Sequence, residues 1–256
     1  MPIGGRRFLS GDGFMLRKTL LTISVGAAVL VFGAGSSKAD VIFGAVPAAP
    51  ACTTNVGTAG VVGCASNPES FTGTNAEVIQ ASGFSNFAAG SPGAPDRLLT
   101  VKLIPAFTED ESGLGVQAAG GGCITAECEI NPPNAATAVD TTPGSRITDA
   151  RIGSVQAGEM FNFFVENNLG DPFTLLTTTG NACSGPGFTA VAADECMWTA
   201  PPGGRAAIAL QSINAGDVTL VEVSTSAPVS APEPASLALL LSASLIGFGV
   251  MRRRWR

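Results

Sequence analysis

The residues of this chain that could carry chemistry are its carboxylates and cysteines, because the 256-residue sequence contains no histidine. Without histidine, Ser-His-Asp and Cys-His catalysis lack their usual general base. Two acidic clusters remain, Glu109-Asp110-Glu111 and Asp194-Glu195. A convergent pair of carboxyl groups could hydrolyse a glycoside, and carboxylate oxygens could bind Ca²⁺ weakly. Acids that are adjacent along a strand or loop more often point apart, so we expect solvated surface at both clusters, with no catalytic site, no cofactor and no metal.

Trp198 is the aromatic residue whose position could matter for binding, because the other tryptophan is Trp255 and tyrosine is absent. An indole ring can stack on a sugar, but it is also a large apolar group that packs in cores. Trp198 closely follows Cys196, so we expect it to pack beside a disulfide. The alternative function is a polysaccharide-binding (lectin-like) or polysaccharide-acting surface protein that uses Trp198 and the carboxylates, with calcium as an option.

The six cysteines fall along the chain as three neighbouring pairs: Cys52 and Cys64, Cys123 and Cys128, Cys183 and Cys196. An even number of cysteines in an exported protein is typical of disulfides. Six cysteines allow many pairings and the sequence alone does not choose among them, but the spacing favours three local loops. Zinc is disfavoured, because the chain has neither histidine nor a Cys-x-x-Cys pair.

Residues 1–39 have the layout of a secretory signal peptide. Arg17-Lys18 is basic, Thr19 to Phe32 is apolar, and Ser37-Lys38-Ala39 offers a small-x-small cleavage site. This order predicts export through the Sec translocon and cleavage by signal peptidase between Ala39 and Asp40.

Two alternatives concern the same segment. Met15 is a second candidate for the start of translation, since residues 1–14 add nothing to the signal layout. Arg6-Arg7 could belong to a twin-arginine signal, although the pair lies well ahead of the apolar core. Either alternative still predicts export.

Residues 232–256 form a second targeting segment. Pro232-Glu233-Pro234 leads into an apolar run from Ala235 to Met251, which is followed by Arg252-Arg253-Arg254. The run reaches the lower edge of the about 17 to 25 residues that a transmembrane helix needs. The arginines supply charge that holds a terminus on the cytoplasmic side of the inner membrane.

This triplet, apolar run and arginine cluster together resemble the PEP-CTERM sorting signal of exported bacterial proteins. The resemblance covers about a tenth of the chain and implies recognition of Pro232, Glu233 and Pro234 by an exosortase, a membrane-embedded transpeptidase-like protease. It further implies transient anchoring in the inner membrane through residues 235–251, delivery to the envelope or extracellular matrix, and an association with exopolysaccharide or biofilm. An ordinary C-terminal anchor helix after a proline-rich linker is the alternative.

The charge of the central part of the chain excludes some partners. Residues 40–231 contain 18 acidic and 5 basic residues, a net charge of −13. Nucleic acid and anionic lipid headgroups would repel such a body. We therefore expect no nucleic-acid partner. The two targeting segments and the missing general base predict an exported, non-catalytic protein, and the resemblance implies the surface or extracellular matrix as its destination.

Short alternating apolar runs, and no sustained helical periodicity, predict a mainly β fold, an antiparallel β-sandwich of jelly-roll-like type over residues 40–223. In Leu98–Ile104, for example, Leu99 and Val101 face one way while Thr100 and Lys102 face the other. The other strand candidates are residues 146–155, 160–165, 173–178, 206–213 and 218–223. Residues 224–231 are predicted to be a linker, and residues 47–73 to be loops held by a Cys52–Cys64 disulfide.

Two similar segments, residues 154–159 and 212–217, each lie between two strand candidates. Both contain an Ala-Gly pair followed by an acid. Gly158 and Gly216 could supply the positive φ of a tight turn, so both segments are predicted to be hairpin turns.

Overall fold

The computed structural model describes residues 38–45, 52–90, 92–104, 106–108, 111–119, 122–123, 128–214 and 216–226. This part of the chain is mainly β, with one short 3-10 helix at Thr74–Ala76. The strands, numbered in chain order, are β1 (Lys38–Ile42), β2 (Cys52–Asn55), β3 (Val61–Cys64), β4 (Glu69–Thr72), β5 (Val78–Phe84), β6 (Leu99–Lys102), β7 (Gly113–Val116), β8 (Ala135–Asp140), β9 (Arg146–Gly153), β10 (Met160–Glu166), β11 (Thr174–Gly180), β12 (Phe188–Ala192), β13 (Glu195–Thr199), β14 (Ala207–Ile213) and β15 (Thr219–Ser226).

The strands form two antiparallel sheets, which confirms the mainly β, sandwich-like prediction. The large sheet has the order β12-β13-β9-β15-β7-β6-β3-β2, and β1 also pairs with β15. The small sheet has the order β11-β10-β14-β8-β5-β4. β15 lies in the middle of the large sheet although it is the last described strand, so that sheet is complete only when residues 219–226 join it.

The main core lies between the two sheets and contains the apolar side chains that alternate along their strands. Phe161 and Phe163 of β10 are fully buried there, as are Leu99 and Val101 of β6. This is the packing expected when the apolar faces of two sheets meet.

A second apolar cluster covers the opposite face of the small sheet. Phe87 lies at its centre, with ring centroids 5.5 Å from Phe84, 5.1 Å from Phe164 and 5.3 Å from Phe173. Gln211 Nε2 donates a hydrogen bond to the Phe87 carbonyl oxygen at 3.2 Å, which fixes the loop after β5 over the sheet. The small sheet is therefore buried on both faces near β10 and β14.

Most strand predictions agree with the structure to within a few residues. The six runs predicted from alternation correspond to β6, β9, β10, β11, β14 and β15. The prediction of loops over residues 47–73 is wrong in part, because β2, β3 and β4 lie there. These three strands are only four residues long, and glycine, threonine and cysteine hide any alternation in them.

The two similar turn segments are not hairpin turns. Each passes from one sheet to the other, since β9 and β15 belong to the large sheet while β10 and β14 belong to the small one. Gly158 has the predicted positive φ of 93°, but in the second segment the positive φ falls on Asn214, at 60°. The two crossings lie side by side, because a Cβ on Gly216 would come within 2.9 Å of the Met160 nitrogen.

The boundaries of the domain differ slightly from those predicted. Ser224, Thr225 and Ser226 were predicted to begin the linker, but they lie in β15 and pair with β1 and β9. Lys38 and Ala39 lie in β1, so the sandwich extends over residues 38–226. The rest of the predicted signal peptide, residues 227–231 and the sorting signal with its apolar run lie outside the described residues. Among the described residues, no helix combines the length and apolar composition that a membrane crossing requires.

Candidate functional site

All three disulfides join the cysteines that are neighbours along the chain. The bonds are Cys52–Cys64, Cys123–Cys128 and Cys183–Cys196. Cys52–Cys64 links β2 to β3, and Cys183–Cys196 links the loop after β11 to β13. The prediction of three local loops is confirmed, and three disulfides indicate an oxidising, extracytoplasmic environment.

Trp198 is a core residue, as expected, and does not form a binding platform. Its side chain has no solvent exposure. The ring centroid lies 4.9 Å from that of Phe163, across the sandwich, and Trp198 pairs with Phe188 of β12. A sugar could reach this ring only if the sandwich opened.

The described members of the two acidic clusters, Glu111, Asp194 and Glu195, do not form a paired site. Asp194 is exposed, whereas Glu195 is buried and forms an ion pair with Arg151 of β9. Glu111 is exposed, and Glu109 and Asp110 lie outside the described residues. The ion pair with Arg151 gives the Glu195 carboxylate a structural partner across the sheet.

Arg151 is the centre of a charged patch on the outer face of the large sheet. Its Nη1 lies 3.5 Å from Oε2 of Glu222, the cross-strand neighbour on β15, in addition to the contact with Glu195. Burial raises the pKa of the Glu222 carboxyl, and the negative charge of Asp40 adds to that effect. One cation therefore serves two carboxylates, an arrangement that the sequence does not reveal because the three residues are far apart along the chain.

Asp149, two residues before Arg151 on β9, lies on the same outer face of the large sheet. Lys38 Nζ donates to its Oδ2 at 2.6 Å and Thr199 Oγ1 to its Oδ1 at 2.9 Å. Burial alone would raise the pKa of Asp149, but hydrogen bonds from Lys38, Thr199 and Thr148 outweigh burial and lower it. The hydroxyl donors lie within residues 40–231, so they persist if the chain is cleaved at Ala39.

The predicted cleavage site falls inside β1. Ala39 has no solvent exposure, and the Asp40 backbone nitrogen donates to Thr74 Oγ1 at 2.9 Å. Cleavage between Ala39 and Asp40 stays a prediction. If it occurs, the mature chain keeps Asp40–Ile42 of β1 and loses the Lys38 contact with Asp149.

A surface cavity of about 510 Å³ lies along the β2–β3 hairpin. The described residues of its lining are uncharged: Thr53, Asn55, Gly57, Thr58, Ala59, Gly60, Val61, Val62 and Leu103. These described residues offer hydroxyl and amide groups but neither a strong nucleophile nor a general base.

No group of three or more histidine, cysteine, aspartate or glutamate side chains is placed to hold a metal ion within the described residues. The predicted sorting residues Pro232, Glu233, Pro234, Arg252, Arg253 and Arg254 lie outside those residues.

Asp140, at the end of β8, has a buried carboxyl group whose effect on the free energy of unfolding can be tested. Burial raises its pKa, and this effect exceeds that of the hydrogen bond from the Thr142 backbone nitrogen, while the nearby Glu77 carboxylate raises it further. A raised pKa means that ionised Asp140 destabilises the fold. This cost is absent below the unfolded pKa of about 3.9, develops as the pH rises from that value to the folded pKa, and is complete above it. We expect Asp140→Asn to increase the free energy of unfolding at pH 7, measured by urea denaturation.

The matched control for that variant is Asp149→Asn. Because the pKa of Asp149 is lowered, its ionised form stabilises the fold above the unfolded value, and this contribution is lost as the pH falls through the folded value. In a chain that retains Lys38, the control should therefore be destabilised at pH 7 and approach the wild type in acid. Equal effects of the two substitutions would contradict the assignment of opposite shifts.

Comparison with known proteins adds no relative: no family model, no curated protein and no solved structure matches this chain.

Proposed function

We propose that this protein is an exported, non-catalytic surface or extracellular-matrix protein whose C-terminal signal is processed by an exosortase. The observation that carries the proposal is the ordered signal at residues 232–256: Pro-Glu-Pro, an apolar run, and an arginine cluster. In this proposal residues 235–251 anchor the chain transiently in the inner membrane, Arg252, Arg253 and Arg254 hold the terminus on the cytoplasmic side, and cleavage releases a jelly-roll-like domain.

The described domain supports a structural role. Three disulfides and two apolar clusters stabilise it. Several of its buried acids pair with cations or hydroxyl groups, as Glu195 does with Arg151 and Glu77 with Thr225. An acidic body of net charge −13 over residues 40–231 suits a soluble protein between cells. Association with exopolysaccharide or biofilm follows from the resemblance of the C-terminal signal.

The alternative, a lectin or enzyme that uses Trp198 and the acidic clusters, has less support at two of its residues. Trp198 is buried in the core, and Glu195 is bound to Arg151. The cavity at the β2–β3 hairpin is one place among the described residues where a polysaccharide could bind.

Replacing Pro232, Glu233 and Pro234 together by alanine should abolish processing. The exosortase would no longer recognise its substrate, so the precursor would keep its arginine-rich tail and remain in the inner-membrane fraction. Fractionation of the native host, followed by the intact mass of the protein in each fraction, measures both effects.

The control changes Pro228 and Val229 to alanine, since these residues belong to the same predicted linker but not to the triplet. It should be processed normally. Normal release of the triple variant would overturn the proposal, and a wild-type protein that retains the tail would favour the permanent anchor.

A further inference from the structure

The most deeply buried ion pair among the described residues joins Lys102 of β6 to Glu129. Lys102 Nζ lies 2.6 Å from Glu129 Oε1, and each side chain is only 1% exposed. We propose that these two side chains form an intramolecular isopeptide bond, by condensation of the lysine amine with the glutamate carboxyl group.

The fold brings the two groups together over the outer face of the large sheet. Leu99 and Val101 of β6 enter the main core, so Thr100 and Lys102 point to the opposite face. The segment 128–131 lies over that face, where Thr100 Oγ1 donates to the Cys128 carbonyl oxygen at 2.8 Å. That hydrogen bond, one residue before Glu129, holds the carboxyl group against the amine.

The surroundings exclude water and leave the two groups in contact. The Phe107 ring lies 4.7 Å from Lys102 Nζ, and Ser154 Oγ donates to the same Glu129 oxygen at 2.6 Å. Groups held in contact in this way react with effective concentrations far above those of free amines and acids. Exclusion of water also favours a condensation, whose product is water.

The choice of lysine at this position supports a chemical role. Lys102 is the only lysine of residues 40–231, whose other basic residues are all arginines. Arginine suits a buried ion pair better than lysine does. Arg151 forms the ion pairs with Glu195 and Glu222. Lysine in the most buried ion pair can do what arginine cannot, because its neutral amine is a nucleophile.

The condensation balances without any further reagent. One proton passes from the ammonium group to the carboxylate, the nitrogen attacks Cδ of Glu129, an N–C bond forms, and one C–O bond breaks. The three ammonium hydrogens become one amide N–H and two hydrogens of the departing water. The Ser154 hydroxyl group stabilises the negative charge that develops on Oε1 during the attack.

The product would add a covalent tie between β6 and the segment 128–131 that covers the outer face of the large sheet. Lys102 belongs to the large sheet, while the chain after Glu129 continues into β8 of the small sheet. The bond would close a loop across a separation of 27 residues that contains the Cys123–Cys128 disulfide. Unlike the disulfides, it would survive reducing conditions, which suits a protein exposed outside the cell.

The test is the intact mass of the denatured and reduced mature protein from its native host. With the termini read from peptides, the isopeptide bond should make the main species about 18 Da lighter than its sequence, through the water that condensation removes. Reductive dimethylation in denaturant should leave Lys102 unlabelled, and proteolysis should yield one branched peptide that contains Lys102 and Glu129.

Two variants complete the test. Lys102→Arg keeps the positive charge but cannot form the amide, so it should show the full sequence mass. Glu129→Gln should give the same branched peptide, with ammonia as the leaving group. A wild-type main species of full mass, with Lys102 labelled, would overturn the inference whatever the variants do. The positions of the two termini, read in the same experiment, test export and sorting independently of the isopeptide bond.

Discussion

Replacing Trp198 with alanine is expected to lower the free energy of unfolding by about 3–5 kcal/mol, the usual cost of removing a large aromatic side chain from a core. Trp198 has no solvent exposure, packs against Phe163 of the opposite sheet and lies next to the Cys183–Cys196 bond. The cavity would remove a packing contact between β13 and the small sheet. Guanidinium unfolding followed by far-UV circular dichroism measures the effect, since the variant loses the tryptophan fluorescence of the domain.

The controls separate packing from binding. Trp198→Phe should recover a large part of the loss, because an aromatic ring still fills much of the space. Val191→Ala in neighbouring β12, where the side chain is 51% exposed, should change stability by less than about 0.5 kcal/mol. A Trp198→Ala variant of unchanged stability would contradict the core assignment and restore Trp198 as a candidate binding residue.

The parts of the fold that the sequence predicted are those where local alternation decides burial. In β10, Phe161 and Phe163 alternate with Asn162, and the two phenylalanines are fully buried. β8, with the sequence Ala-Ala-Thr-Ala-Val-Asp, gave no such signal, because small side chains fill both faces of a strand that is itself covered on both sides. Its position between β14 and β5 depends on pairings that are remote along the chain.

Lys102 shows why the candidate chemistry could not be predicted. Alternation correctly places it on the face opposite Leu99 and Val101, and such a face would ordinarily be solvated. The segment 128–131 covers that face, so Lys102 is buried with Glu129. The contact between Lys102 and Glu129 depends on long-range folding, so the sequence alone does not reveal it. The same limit explains the crossings after β9 and β14, since a turn's sequence does not state whether its two strands pair with each other.

Gly115→Ala is expected to destabilise the protein by about 3 kcal/mol, the upper end of the usual cost of overpacking. A Cβ on Gly115 of β7 would lie 1.9 Å from the Cys128 carbonyl oxygen, which is backbone and cannot rotate away. The segment 128–131 would therefore have to move off the sheet. That movement would weaken the hydrogen bond from Thr100 and the contact between Lys102 and Glu129.

Gly57→Ala is the control for Gly115→Ala, because it adds the same methyl group in open space. No atom lies within 4 Å of a Cβ on Gly57, although its φ of +91° carries a backbone cost of about 1–2 kcal/mol for an L-residue. Gly115→Ala should therefore be the more destabilised in urea unfolding. It should also raise the hydrogen-exchange rate of the amides around residue 129, which Gly57→Ala should leave unchanged. Slow exchange there in both variants would mean that the segment 128–131 is not held against β7. The packing that brings Glu129 to Lys102 would then need another cause.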